Sequence, residues 1–578
     1  MGNHTTSIFS RFIGLLKPDY KEIKNIYIFA VFSGILSLGL PLGIQMIINF
    51  IQVGQVSTSW IILVLLVVGA IGFSGLLNIY QMKITENLQQ RVFTRSAFEF
   101  AGRIPQMKLL EMLKLNANEL TNRFFDTLTI QKGISKLLID FTAASLQVLF
   151  GLILLSFYHS FFIFIGLFLI LLLYVIVRLT AKKGFQSSLK ESSYKYKIAN
   201  WLHDVSRARL SFKMASNERF HLDTTNKHLH DYLGARDSHF TVLVQQYSFL
   251  IAFKILIALT LLIVGGFLVI NQQMNIGQFV ASEIIILLVL SSVEKLILSL
   301  DVIYDVFTAI EKIGQVTDLP LEVHSGELLE DKSENGIAIS IKDLSFKSHF
   351  SPKKLLDHLT IDIQANQTIC LVSDSSSSND ALFYLLTGIC DNAKGSISFD
   401  KVPQANLNMF ELREQIGTFF EHDHLINATI FENIQFGRKD ISLKKVVELA
   451  SEIGLDEFVN SLPEKYATVI DSEGHFLPKD VVVKILLLRT LAKQPRLMLL
   501  DEPTAGLNER QKQQVLGTLN SLERVTRIFA SHDPEIHRMC DVLIFIENGK
   551  ARIEERARSG WRLRGLCQRL RHCRSRHG

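Results

Sequence analysis

Leu497-Met-Leu-Leu-Asp-Glu-Pro-Thr-Ala-Gly-Leu-Asn508 decides how this chain is read. Four apolar residues in a row, with no polar alternation, describe a strand buried on both faces. The run ends in paired carboxylates, Asp501 and Glu502, and then in a Pro-Thr turn. A buried strand with an acid at its tip can hold a magnesium ion.

Two further segments belong with it. Upstream, Ile369-Cys-Leu-Val-Ser373 is another buried strand, where a phosphate-binding loop of pattern G-x-x-x-x-G-K-S/T should follow. The aligned stretch is Ser373-Asp-Ser-Ser-Ser-Ser-Asn-Asp380. Each glycine is serine, the lysine is Asn379, and Asp380 stands where a hydroxyl would meet magnesium. Glycines let backbone N–H groups wrap phosphate, often at positive φ, and serine resists those angles. Asp380 adds an anion where an anion should bind. At about 4 Å and an effective dielectric near 20, that repulsion is of order 4 kcal/mol. The helix that follows, from Ala381, keeps its apolar pattern, and Ser378, Asn379 and Asp380 are all good caps. This predicts a self-capped loop with Asp380 in the phosphate's place. Downstream, Ile528-Phe-Ala-Ser-His532-Asp533 is a strand ending in a histidine.

Order, spacing and apolar flanks together resemble the ATP-binding cassette of ABC transporters. The resemblance implies ATP and Mg²⁺ as cofactors. It assigns Asp501 to the metal and Glu502 and His532 to catalysis. It assigns Ser373, Ser376, Ser378, Asn379, Asp380, Ala381 and Glu421 to the nucleotide, Glu421 replacing the family's glutamine. Ser345-Phe-Lys-Ser348 lacks the adenine-stacking aromatic, with His349 or Phe350 as substitutes. The L-S-G-G-Q signature is replaced by Leu477-Pro-Lys-Asp-Val481, where Pro478 removes an N–H and Asp480 adds negative charge. The fold class is an α/β P-loop ATPase-like domain, with its nucleotide chemistry eroded.

Ahead of this domain the composition changes. Of 578 residues 48% are hydrophobic, and the long apolar runs fall almost entirely in the first 310. Six are long enough to cross a bilayer: Ile26–Ile48, Trp60–Ile79, Ile139–Tyr158, Phe161–Val177, Tyr247–Ile270 and Gly277–Leu300. Their connections alternate between short segments without Lys or Arg and the long, basic segments 81–135 and 178–246. The positive-inside rule puts the long segments, both termini and the ATPase-like domain in the cytoplasm. The first span is too long, and lacks the cleavage site, for a signal peptide. Lys254 and Glu283 lie deep in the spans, and Asp140, Glu294 and Lys295 lie near their ends. Such groups read as a substrate-path or gating pair, or as a structural ion pair. The five cysteines have no metal-ligand or disulfide spacing and fit a reducing cytosol. Nine Arg against two Glu from Arg552 onward supply the net charge of +5 and leave the rest slightly acidic, so no nucleic-acid partner is indicated. That basic tail reads as disordered, ahead of a headgroup-binding role.

Six spans with long extensions and a C-terminal cassette resemble the type I ABC exporter. The expected architecture is a membrane all-α six-helix exporter domain at 1–320, a linker at 321–336, a cassette domain at 337–550 and a tail at 551–578. The resemblance implies coupling helices near Asn118–Asp126 and Asn200–Arg219. It also implies a multi-pass cell-membrane protein that dimerises with itself or with an intact ABC subunit. In such dimers ATP lies between one subunit's P-loop and the other's signature, and this chain has lost both. The expectation is an export subunit impaired in ATP binding and hydrolysis. The alternatives are an active ATPase that tolerates the losses, or a membrane scaffold or regulator. The substrate is left open.

Overall fold

The computed structural model describes residues 8–53, 58–112, 117–215, 219–323, 325–330, 335–347, 354–420, 423–471 and 477–555. Glu421, His349, Phe350 and the tail beyond 555 lie outside the described residues. Two compact units emerge, one of residues 1–107 and 111–321, the other of 108–110 and 322–578.

The first unit contains six helical stretches long and apolar enough to cross a membrane: Ile8–Ile51, Thr58–Gln106, Glu119–Ser156, Phe161–Arg207, Phe220–Ile270 and Ile276–Thr317. Five include an expected span whole and the third stops two residues short of the end of Ile139–Tyr158, and most run well beyond the apolar segment. The segments rich in Lys and Arg are therefore helical continuations of the spans. The first stretch is broken by a 3-10 turn at Lys17–Asp19, where Pro18 supplies no N–H, and again near Leu38. The sixth starts at a capping box: Asn275 Oδ1 accepts from Gln278 N at 2.7 Å, and Gln278 Oε1 accepts from Asn275 N at 2.9 Å.

The membrane-side core joins Val148, Phe162, Leu169, Phe253, Ile257, Ile285 and Val289. Gly151 makes part of this packing possible, because a Cβ there would lie 2.5 Å from Val289 Cγ2. Two ionisable side chains within the stretches pair with each other. Lys254 pairs with Glu294, which also accepts from Tyr247 Oη at 2.8 Å. Glu294, rather than Glu283, is thus the partner of Lys254.

The expected coupling segments turn out to be tied into this unit. In the helix Ala117–Phe124, Arg123 is buried and donates to Gln315 Oε1 at 2.6 Å, and Asp126 accepts from the Tyr196 hydroxyl. Around Asn200–Arg219, Trp201 forms a hub with Phe212 and Phe220, ring centroids 6.2 and 6.1 Å away, and donates to Thr225 Oγ1.

The second unit is an α/β domain with two main sheets. Strands β1 (Ile339–Lys347), β2 (Lys354–Ile363), β4 (Lys394–Phe399) and β5 (Val402–Pro403) form an antiparallel sheet in the order β2-β1-β4-β5. β3 (Thr368–Ser373), β6 (Ile416–Phe419), β9 (Leu497–Asp501), β10 (Thr526–Ala530), β11 (Val542–Glu547) and β12 (Lys550–Glu555) form the second, ordered β12-β11-β3-β10-β9-β6. In it β11, β3, β10, β9 and β6 are parallel, and β12 closes the edge antiparallel. The short pair β7 (Ala428–Thr429) and β8 (Val469–Ile470) lies apart. Every residue of β3, β9 and β10 is buried, as continuous apolar runs in a covered parallel sheet require. Ala530 is in register with both Asp501 and Leu371, so Ser373, Asp501 and Ser531 all emerge at the carboxyl edge of the parallel strands. That edge is where open α/β sheets present their ligand sites.

Candidate functional site

The turn after β3 departs from the self-capped loop expected of it. The helix begins at Ser376 and runs to Leu386, with Ser375 in extended conformation at its cap position. Asp380 is therefore the fifth helical residue and no cap. None of residues 373–380, all described, has a positive φ. The serines avoid the angles a glycine loop would use by entering the helix early. They then bond to the turn itself. Ser373 Oγ donates to Ser375 O at 2.7 Å, Ser378 N donates to the same carbonyl at 3.1 Å, and Ser378 Oγ donates to Leu355 O at 3.1 Å. Ser376 is exposed and Ala381 is buried in the core of the domain.

Asn379, where the pattern has lysine, is 6% exposed, and its Oδ1 has no hydrogen-bond partner among the described residues. An orphaned acceptor cannot neutralise phosphate. Residues 373–380 include no Lys or Arg, carry the Asp380 carboxylate, and have the Ser378 N–H engaged by Ser375 O. The hydroxyl of Tyr384, one turn on, is pushed above its usual range by burial, and further by negative charge from Asp380, Cys390, Asp423 and Asp501. Asp380 and Asp501 thus act on one neighbourhood.

The other side of the site is intact in form. Asp501 ends β9 at 6% exposure. Glu502 takes a left-handed φ of 44°, costly for a residue with a Cβ. Three bonds hold it there: Glu502 N donates to Ala530 O at 2.8 Å, Ser531 Oγ to Glu502 Oε2 at 2.8 Å, and His532 N to Glu502 Oε1 at 2.9 Å. The structure thus joins Glu502 to His532 through the backbone, while the His532 ring is exposed.

Behind them lies a network that reading the motifs missed. Thr504 Oγ1 donates to Asp533 Oδ2 at 3.1 Å, and Lys512 Nζ meets Asp533 at 2.8 Å and Glu535 at 3.3 Å. Burial would raise the Asp533 carboxyl, but the hydrogen bond and charge of Lys512 outweigh it and hold it below its ordinary range. Asp533 also caps the helix Pro534–Met539, its Oδ1 accepting from Glu535 N at 2.9 Å with Pro534 at the first helical position.

Pro478 occupies the cap position of the helix Lys479–Ala492, whose Val481, Ile485 and Leu488 are buried in the second core cluster of this domain. Asp480 is not an isolated charge, since it accepts from Gln511 Nε2 at 2.6 Å. Gln511 in turn closes a capping box with Asn508 on the helix Glu509–Ser521. The segment around Pro478 and Asp480 is thus bonded to the segment after the acidic strand.

Comparison with known proteins agrees with this architecture. The family model for ABC transporter matches residues 356–505. The chain is 28% identical over 301 residues to the uncharacterized ABC transporter ATP-binding protein YknV of Bacillus subtilis, covering 50% of this chain and 48% of that one. It is 27% identical over 243 residues to the ATP-dependent lipid A-core flippase of Saccharophagus degradans, covering 42% and 41%. These matches span at most about half the length of the curated relatives. A bacterial Atm1-family ABC exporter solved with ATP bound superimposes at a TM-score of 0.79, covering 99% of both chains at 18% identity, which establishes the shared fold. Six membrane-length helices followed by a cassette domain of this topology give the chain the fold of a multi-pass type I ABC exporter, with a transmembrane domain and an ABC transporter cassette fused in one polypeptide.

Proposed function

We propose that the chain is a transport subunit of ABC exporter type whose own cassette binds and hydrolyses ATP weakly or not at all. The observation that carries this reading is the turn after β3. A helix entered at Ser376, the Ser378 N–H spent on Ser375 O and a neutral Asn379 leave no cradle and no cation for a triphosphate. Family use of ATP with Mg²⁺ supports the retained Asp501, Glu502 and His532 as remnants of a metal and water site. The cassette domain and both termini are assigned to the cytoplasm by the basic connections. Dimerisation with a second copy or with an intact ABC subunit follows from the family's architecture. The transported substrate is an open class.

The retained acids favour one rival, an exporter that still hydrolyses ATP, because Glu502 is held in a strained backbone by three hydrogen bonds. Turnover of Mg-ATP by the purified full-length protein in lipid discs decides between them. The proposal expects a rate no higher than that of Glu502→Gln. A rate that exceeds the Glu502→Gln background and rises with ATP concentration overturns it.

A further inference from the structure

Outside the cassette, one cluster of metal-ligating side chains is built in a way that neither nucleotide chemistry nor span packing uses. His239, on the helix Phe220–Thr260, is 1% exposed. Asp301 and Asp305 lie one turn apart on the helix Ile276–Thr317, so both carboxylates share a face. One ligand atom from each of the three lies within 4.8 Å of the others. His239 Nε2 is 3.2 Å from Asp301 Oδ1. Two ligands each about 2.0–2.1 Å from a tetrahedral ion stand roughly 3.3 Å apart, so this separation already suits a shared ion.

The surrounding groups are arranged as supports. His239 Nδ1 lies 2.8 Å from Ser187 Oγ, which can accept the Nδ1 proton and leave the Nε2 lone pair facing the carboxylates. Ser188 Oγ reaches Asp305 Oδ1 at 3.5 Å and is itself positioned by Thr308 Oγ1 at 2.9 Å. Below the ring, Gln246 donates to Tyr304 Oη at 2.9 Å and Thr180 Oγ1 at 2.6 Å. Gly184 gives Tyr304 its place, because a Cβ there would lie 2.5 Å from the Tyr304 ring.

Charge gives the second, independent argument. Two carboxylates one turn apart repel, and the nearby cations lie at ion-pair distance from other acids: Arg236 meets Glu191 at 3.0 Å, and Lys195 lies 3.9 Å from Asp126. Neither Asp301 nor Asp305 has a Lys or Arg at ion-pair distance among the described residues. Asp301 is half-buried and Asp305 is exposed, so an ion could enter and keep water as its remaining ligand.

We propose that His239, Asp301 and Asp305 form a binding site for a divalent transition-metal ion, joining the fifth and sixth membrane helices. One imidazole and two carboxylates suit Zn²⁺, Mn²⁺ or Co²⁺, and a tetrahedral arrangement with one water favours Zn²⁺ and its spectroscopic substitute Co²⁺.

The test uses the full-length protein, stripped with a chelator and held in lipid discs. Co²⁺ is titrated by visible absorption, and Zn²⁺ is measured by displacing the bound Co²⁺. The expected result is one ion per chain lost or weakened about 10–100-fold in Asp305→Asn, with a loss of similar size in Ser187→Ala, which removes only the group that orients His239. Asp305 is exposed, so the metal-free Asp305→Asn protein should unfold at the temperature of the unaltered chain, and its loss of binding would then report the site itself. Unchanged stoichiometry and affinity in both variants would overturn the proposal and place any bound ion at other histidines. So would the absence of a tetrahedral Co²⁺ spectrum in the unaltered chain.

Discussion

Glu502 shows how the site was kept at the level of single residues. Its φ of 44° is worth keeping only if something holds it there: Ser531 and His532 donate to the carboxylate, and Ala530 O accepts from the Glu502 N–H. Beneath it, His537 donates from Nε2 to Ser531 O at 3.0 Å, and its Nδ1 is buried without a partner among the described residues. Burial therefore holds the imidazole below its ordinary pKa of 6.5. The unfolded chain binds that proton first, so the stabilisation from neutral His537 is complete above the unfolded pKa. It drains away as the pH falls from about 6.5 toward the lower folded value. His537→Gln, which preserves one donor, should lose less stability than the unaltered chain between pH 7 and pH 5, a difference of about 1 kcal/mol. Thermal unfolding at a series of pH values reads this directly, and parallel pH curves for the two proteins would refute it. Asp501, Glu502 and His532 were legible from their strands and spacing. Ser531, Lys512 and Asp533 were not, because their roles depend on which loops the sheet brings side by side.

At the scale of elements, the strand-turn-helix after β3 sets the strongest constraint. A loop of serines was expected to strain at glycine angles or to be capped by Asp380. Instead the helix starts early, and the Ser378 N–H is engaged by Ser375 O within the turn. Side-chain repair alone should therefore be insufficient. Asn379→Lys with Asp380→Ser should leave Mg-ATP affinity weaker than millimolar. Adding Ser373→Gly and Ser378→Gly should improve it by at least tenfold, as followed by equilibrium binding of a fluorescent ATP analogue. Equal affinity for the double and quadruple variants would show that charge, and not backbone, is the obstacle.

The membrane helices carry a separate test. Lys254 and Glu294 satisfy one another across the fifth and sixth stretches, with Tyr247 as a third partner. Lys254→Met or Glu294→Gln alone leaves a polar group stranded and should cost about 1–2 kcal/mol. The double variant should recover part of that loss, as measured by thermal unfolding in detergent. Additive losses would mean the pair is not coupled. Apolar run length made all six helices legible, whereas their extension into the basic segments and the choice of Glu294 over Glu283 required helix register in three dimensions.

At the scale of the whole molecule, six membrane-length helices and a cassette topology coexist with a turn after β3 that has serines and Asn379 in place of glycines and lysine. Packing needs apolar periodicity, and that periodicity is retained in β3, β9 and the helix Lys479–Ala492. Nucleotide chemistry needs a few glycines, a lysine and an unobstructed helix start, and these have gone without disturbing the core. Fold and function were therefore legible to different degrees from the same residues. The central claim is that this cassette has lost its hold on nucleotide. It is tested most directly by Mg-ATP binding to the purified full-length protein, read as a shift in thermal unfolding with Glu502→Gln alongside. The account predicts no shift in either protein up to millimolar Mg-ATP, since a ligand that does not bind the folded state cannot stabilise it. A concentration-dependent rise in unfolding temperature, enhanced or preserved in Glu502→Gln, would contradict it and show that the serine turn still cradles phosphate.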